Sequence, residues 1–488
     1  MKIPLGLGAY ESGSMPFSAQ RCVNMYAAIA QDQALSDAIL FGTPGTVQFG
    51  TAGALASDAS RGSVVMGGVE YVVNGTDLNS FDSEGVKTTL GTIAATSSGL
   101  VRVSMAHNGD KLCIVVPGGN AYVWVASTTT FSQITDSDYQ TSDTVVFSGG
   151  FYIFTETDGT NWFVSNLNDP SAIDALDFGS AELNPDKIVA GFANYDNVWI
   201  LGEVTAEPFR QIGGAGFPYE RIEGASYEKG CHAKHTPIQW EGGFYFAGGG
   251  KNERTSIYRA GSSGEPEKVS TDAIDTEIQK FTASEISSAY SFTYGINGHS
   301  FVGFTFRSVI VTSRTFIFNV TASKLSGRYI WFEQQTGVSE NAWRIASIDF
   351  VYNKLIVSDA IDGRIGYLDE DVYTEYGEVI LSEKVTPPIY IEGLSTIFHE
   401  LELIIDAGQG LITGQGSDPQ VMMDFSDDGW RNKSYELWTD LGAIGEYFRR
   451  AEWRRLGHSP QFRSFRLRVT DPIKRTFIKL DTRIGNAA

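Results

Sequence analysis

From about residue 64 to 380 the chain alternates short apolar runs rich in Val, Ile, Phe and Tyr with breaks made of turn residues. Runs of that length and composition predict strands rather than helices. Anchoring on the turn residue ahead of each group gives Gly68, Gly109, Gly149, Tyr195, Gly242, Asn297 and Tyr352, at intervals of 41, 40, 46, 47, 55 and 55 residues. Such spacing lies around the ~40–50 residues of propeller repeats. Within Val145 to Leu167 two runs flank Asp158-Gly159, and within Val351 to Asp369 two flank Asp362-Gly363. Each pair predicts a hairpin, because glycine accepts positive φ without a Cβ clash. Between Trp240 and Arg259 the expected reversal is Gly248-Gly249-Gly250. One small sheet leaves a face open, and stacking such sheets radially covers both faces, so a β-propeller of about six or seven blades is expected. A set of unrelated sandwiches is the other arrangement of the same strands.

Helical periodicity is rare. Ser270 to Phe281 places Ile274, Ile278 and Phe281 at helical spacing behind candidate caps Ser270, Thr271 and Asp272, which predicts one short helix. Residues 381–394 contain Pro387-Pro388 and read as a linker. Beyond it, His399 to Asp406 and Phe462 to Val469 alternate apolar and charged residues with period two, as half-exposed antiparallel strands do. The expected organisation is therefore mainly β. It comprises an N-terminal segment 1–60 packing on the C-terminal domain, a propeller 61–380, a linker 381–394 and a β-sandwich 395–488.

Composition sharpens this picture. The 488 residues are 42% hydrophobic and 19% charged, enough apolar content for a large core. The formal charge of −21 disfavours a surface that wraps nucleic acid or anionic lipid. Three scattered cysteines indicate no disulfide framework and fit assembly in a reducing cytoplasm. No apolar run approaches the ~18 residues of a membrane helix, so no membrane insertion is expected. Charge is unevenly spread: Arg449 to Lys479 carries ten basic residues against Glu452 and Asp471, +8 locally, leaving −29 elsewhere. Such polarity favours contacts between the basic strands of one copy and an acidic surface of another. The candidate interface residues are Arg449, Arg450, Arg454, Arg455, Arg463, Arg466 and Arg468. A combined Arg463/Arg466/Arg468 substitution is expected to impair assembly. A solvated face is the bland reading, and phosphate contact a third.

Catalytic chemistry is not legible. The nucleophile elbow G-x-S-x-G and the phosphate loop G-x-x-x-x-G-K-[ST] are absent. His399-Glu400 begins like a zinc-binding H-E-x-x-H, but position 403 is Leu. Cys231-His232-x-x-His235 offers three donors, and a tetrahedral site needs a fourth. Asp424 to Gly429 has Tyr435 where a calcium loop requires Glu, so Asp428-Gly429 reads as a hairpin turn. The expectation is no enzyme, no metal and no cofactor.

Several segments, in order, resemble the packaged-DNA stabilisation proteins of short-tailed bacteriophages, also called tail hub or nozzle proteins. They are Ser18 to Tyr26 with its Val23-Asn24-Met25, Thr43-Pro44-Gly45, Arg102 to His107, Trp162 to Leu167 followed by Asp169, Asn184 to Val189, Phe217 to Arg221 through Glu228 to Cys231, and the Arg-rich Arg449 to Arg468. The resemblance implies a homo-hexameric ring below the head-to-tail adaptor ring and portal. It further implies contacts with a tail fibre or tailspike, and a tail needle or plug at the far end. Viral double-stranded DNA would pass through the lumen without specific binding. The implied place is the virion tail, after assembly in the host cytoplasm, and the implied role is to close the filled head, retain its DNA and give it a channel for ejection. A negative wall suits such a conduit, because it avoids the cation–phosphate contacts whose counterion release creates binding. A receptor- or glycan-binding tail propeller is the alternative function.

Overall fold

The computed structural model describes every residue except 54–57, 98, 182–185, 214–215, 392–394 and 487–488. Asn184 and Pro185 of the resemblance segments therefore lie outside the described residues. The first blade is the antiparallel meander Ser60–Met66, Val69–Asn74, Asp77–Phe81 and Lys87–Thr92. Similar meanders follow, opening at Ser104–His107, Ser142–Ser148, Ile188–Asn194, Ile238–Trp240, Tyr290–Ile296 and Ile345–Val351. All seven anchor residues, Gly68 through Tyr352, have positive φ and sit in the hairpin between the first two strands of a blade. Two of them are tyrosines, in a conformation bulky residues rarely adopt.

Hydrophobic cores fill the gaps between consecutive blades. Leu112, Ile114 and Trp124 of one blade meet Tyr71, Val73 and Leu78 of the blade before it. Trp199, Phe244, Phe246 and Tyr258 fill a later junction. Both faces of each small sheet are thereby removed from water, the largest favourable term available to it. The ring closes with an early strand: Gly45–Thr51 pairs antiparallel with Arg364–Asp369, supplying the outer strand of the last blade. Residues 45–51 therefore belong to the propeller, although they fall in the segment expected to pack on the C-terminal domain. A glycine is required at position 45, since a Cβ there would stand 2.4 Å from the Thr374 carbonyl oxygen and 2.6 Å from that of Val372.

The remainder of the N-terminal segment joins the C-terminal domain. Lys2–Ile3 pairs with Thr476–Asn486, which also pairs with Ala38–Gly42, itself paired with Met25–Ile29. With Thr396–Ile405 and Ala451–Arg454 these strands form one sheet of the sandwich. Ser382–Val385, Phe462–Val469, Gln420–Ser426 and Leu437–Asp440 form the facing one. Phe398, Leu401, Leu403, Val421, Met423, Phe465, Leu467 and Phe477 pack between them.

Three local expectations need correction. Gly248 and Gly249 are not a reversal but lie inside the buried strand Gly243–Gly249; a Cβ on Gly248 would meet the Gly230 carbonyl oxygen at 1.9 Å, so glycine permits that close pairing. The expected linker carries the strand Ser382–Val385, all four residues buried. Its sequence, Ser-Glu-Lys-Val, shows no apolar pattern because its polar groups are satisfied internally, Lys384 Nζ donating to the Gly8 carbonyl at 2.7 Å. The predicted helix spans only Asp272–Ile278, capped by Thr271. A second, Ala283–Ser287, starts at a Thr282/Glu285 capping box, and a third, Val320–Ser326, follows Asn319.

Candidate functional site

The two domains share one continuous sheet. Cys22–Val23 pairs in parallel with Trp331–Glu333 of a propeller blade and antiparallel with Ser382–Val385 of the sandwich. The buried Asn24, at φ 51°, then turns the chain. Its amide donates to the carbonyls of Leu381 (2.7 Å) and Gln335 (3.1 Å) and accepts from the Gln335 N–H (2.9 Å). The short Val23-Asn24-Met25 motif is thus the fastener between domains.

Along this shared sheet runs a chain of charges. Arg314 and Arg21 both pair with the buried Glu333; Arg21 extends to Glu340 and Glu383, and Arg466 to Glu383 and Asp424. Burial alone pushes the Glu333 carboxyl up, and Arg21 and Arg314 outweigh it, holding it below the usual carboxylate range. Glu11, partly covered beside Glu333, is raised instead, by desolvation first and then by repulsion from Glu333.

The arginines offered as an interface divide into two groups. Arg463 is 1% exposed. Its guanidinium grips Asp427 with two bonds of 2.7 Å, donates to the carbonyls of Leu456 (2.7 Å) and His458 (3.1 Å), and lies over the rings of Phe425 and Phe398. Arg466 and Arg468, largely covered, are held by Asp424 and Glu436. These three serve the domain's own fold, so substituting them together reports on folding and not on a contact face. Arg449, Arg450 and Arg454 are half-exposed or more and pair at the surface with Asp440 (2.7 Å), Glu402 (2.7 Å) and Glu452 (2.8 Å). Arg455 is exposed and forms no ion pair among the described residues.

Beside this exposed group lies a feature the sequence reading missed. The loop around Gly408 to Gly416 touches the loop before Arg449: the Gly445 N–H donates to the Gly408 carbonyl, and Gly408 abuts the Tyr447 ring. Together they hold Ile412, Ile444, Tyr447 and Phe448 out to solvent, Phe448 at 98% exposure. Clustered exposed apolar side chains mark contact surfaces. An aromatic dipeptide ahead of Arg449-Arg450, between glycine-rich turns, was the available signal.

One carboxyl at the closing strand is expected to make the propeller's stability depend on pH. Glu375 pairs with Thr46 in the backbone ladder and accepts from Trp343 Nε1 at 3.0 Å. Burial raises it to about 7 despite Arg344 nearby. A raised folded-state value means that stability is full below the ordinary ~4.3 of an unfolded glutamate and is lost as pH climbs through 7. Glu375→Gln is expected to keep its acceptor contacts to Trp343 and to the Thr336 hydroxyl (3.4 Å) and remove about 3 kcal/mol of that decline. Urea unfolding at pH 5 and pH 8 measures it; an unchanged pH slope would refute the assignment.

Cys231 is buried and donates to the Ala233 carbonyl, while His232 Nδ1 meets Thr255 Oγ1 at 2.8 Å. Among the described residues no group of three or more potential ligands converges on a metal position, and no helix is long and apolar enough to cross a membrane.

Among solved structures, an extracellular domain of a putative one-component system from B. thetaiotaomicron aligns at a TM-score of 0.40 with 10% identity, over 81% of this chain and 47% of that one. The N-terminal domain of Nup159 aligns at 0.39 with 10% identity, over 72% and 99%. The chain is 22% identical to the tail hub protein gp10 of Salmonella phage P22 over 386 residues, 76% of this chain and 78% of that protein. Residues 1–373 match the family described as bacteriophage P22 Gp10, β-propeller, and residues 382–485 match bacteriophage P22 Gp10, β-sandwich. With both halves of the fold matched in order over nearly its whole length, the chain belongs to the bacteriophage P22 Gp10 family.

Proposed function

We propose that this chain is the repeating unit of a tail hub ring, six copies around an axis, that sits below the portal and adaptor, closes the DNA-filled head and provides the channel for ejection. As a member of the Gp10 family the chain is a structural component of a bacteriophage tail. The ring number, the adaptor contact, the attachment of a fibre or spike and of a needle or plug, and the retention of DNA are the proposed refinements.

The observation that carries the reading is the ordered match of both domains to Gp10. Three physical features support it. The sandwich is fused to the propeller by a shared sheet and a buried ion chain, a rigid junction suited to a component under load. Its outer loops present Ile412, Ile444, Tyr447 and Phe448 next to Arg449, Arg450, Arg454 and Arg455, an apolar centre with a cationic rim of the kind assembly interfaces use. The net charge of −21 keeps DNA from sticking to a wall it must slide past.

Replacing Tyr447 and Phe448 by serine tests the contact face. Both side chains are exposed, so the isolated chain should melt within about 1 °C of the parent. Assembly onto adaptor-bearing heads should fall at least tenfold, read by sedimentation. Full assembly by the doubly substituted chain would remove these loops from the interface.

A further inference from the structure

One end of the propeller's central axis holds an excess of cations that neither the sandwich nor the ring reading uses. Where several innermost strands begin, a cavity of about 540 Å³ is lined by Arg61, Arg102, Lys234, His235, Tyr290 and Arg307. That volume lies within the range of small-ligand sites.

The cations are close together and poorly neutralised. The Arg102 guanidinium lies 4.2 Å from the centre of the Tyr290 ring and donates to the Ala346 carbonyl at 3.0 Å. Arg307 donates to the Tyr290 hydroxyl (3.2 Å) and to the Trp343 carbonyl (3.1 Å). Arg61, 3% exposed, donates to the carbonyls of Val101 and Gly75, and its remaining terminal nitrogen has no hydrogen-bond partner. None of these three arginines forms an ion pair among the described residues, whereas Lys234 pairs with Asp143 at 2.6 Å. Each guanidinium carries five N–H donors, so most remain unspent.

The surroundings register the crowding. Burial, more than any other cause, lowers Arg61 and Arg102 to about 10, and Arg307 adds repulsion at Arg102. The His235 imidazole is driven well below its ordinary value by burial, then by Arg102 and Lys234. Among the described residues the carboxyl acting on Arg102 is Asp349, which is occupied by the Ser63 hydroxyl and by Glu70 and is itself pushed up by burial. In a chain of net charge −21, gathering unpaired guanidinium groups at one cavity is costly unless an anion enters.

We propose that this axial cavity binds a small phosphate-type oxyanion, free or as a phosphate ester, between Arg102 and Arg307 with Lys234 at its edge. Planar guanidinium forks match phosphate oxygens in pairs, and Tyr290 fixes both forks in place. The neutral His235 leaves the site's charge to the arginines.

The test is calorimetric titration of the full chain with inorganic phosphate and with adenosine monophosphate, at ionic strength held constant with chloride. Phosphorus-31 line broadening provides a second readout. The expected result is saturable binding, one anion per chain, weakened at least tenfold in Arg307→Gln. Tighter binding of the monophosphate would identify the ester as the source, and equal binding the free anion. Should Arg307→Gln fail to fold, Lys234→Gln at the cavity edge is expected to weaken binding at least threefold. No saturable heat, or the same affinity in the parent and a folded variant, would overturn the site.

Discussion

Replacing Arg463 with alanine is expected to unfold the C-terminal sandwich, at a cost of about 3–5 kcal/mol. The side chain is fully buried, makes two bonds to Asp427 and two to backbone carbonyls, and fills the space between Phe398 and Phe425. Truncation leaves a partly covered carboxylate and two carbonyl oxygens without this donor, together with a cavity flanked by two aromatic rings. Arg463→Lys is expected to recover little, because an ammonium cannot span both Asp427 oxygens while reaching the carbonyls. Arg454→Ala, on an exposed side chain, should change stability by less than about 0.5 kcal/mol. Urea unfolding of the three variants separates the cases. Equal midpoints for Arg463→Ala and Arg454→Ala would return Arg463 to the surface.

Glu333→Gln is expected to loosen the junction between domains. Glu333 is the shared counter-ion of Arg21 and Arg314, both of which are largely covered. Without its charge the two guanidinium groups face one another with Glu340 and Glu383 as their remaining ion-pair partners among the described residues, a loss of about 3 kcal/mol. The sign with pH follows from the lowered carboxyl: its stabilisation is present above the ordinary glutamate value and is lost as pH falls through the depressed one. Calorimetry should show the parent melting as one unit at neutral pH and the variant in two steps, sandwich and propeller separately. The half-exposed Glu340 supplies the control, Glu340→Gln changing the melt by less than about 1 kcal/mol. A single unchanged transition for Glu333→Gln would show that the shared strands alone hold the domains.

The propeller was legible because its turns are. A residue forced into positive φ between two apolar runs recurs once per blade, and even Tyr195 and Tyr352 betrayed it by position. Strand exchange was not legible: nothing in Gly45–Thr51 says that its partner is Arg364–Asp369, because a backbone ladder leaves no mark on composition. Ser382–Val385 was hidden for a different reason, since a strand that meets its neighbours through buried charges reads as a loop. The arginines show what attention to parity would have added. In Phe462–Val469 the odd positions Phe465, Leu467 and Val469 face the core, so Arg463 faces it too, whereas the even Arg466 and Arg468 line the opposite face. Net local charge draws no line between these three, held inside the domain, and the exposed Arg449, Arg450, Arg454 and Arg455. The cationic cavity could not be read at all, because Arg61, Arg102 and Arg307 are distant in sequence and meet only when the ring closes.

The proposed ring stands or falls on where copies of this chain sit in the particle. Cryo-electron microscopy of purified virions, with the tail reconstructed around its own axis, answers this directly. The account predicts six copies in a closed ring directly below the adaptor, the loops carrying Tyr447 and Phe448 at a protein contact and the lumen wide enough for duplex DNA. Single copies at the outer tip of the tail, clear of the DNA path, would contradict it.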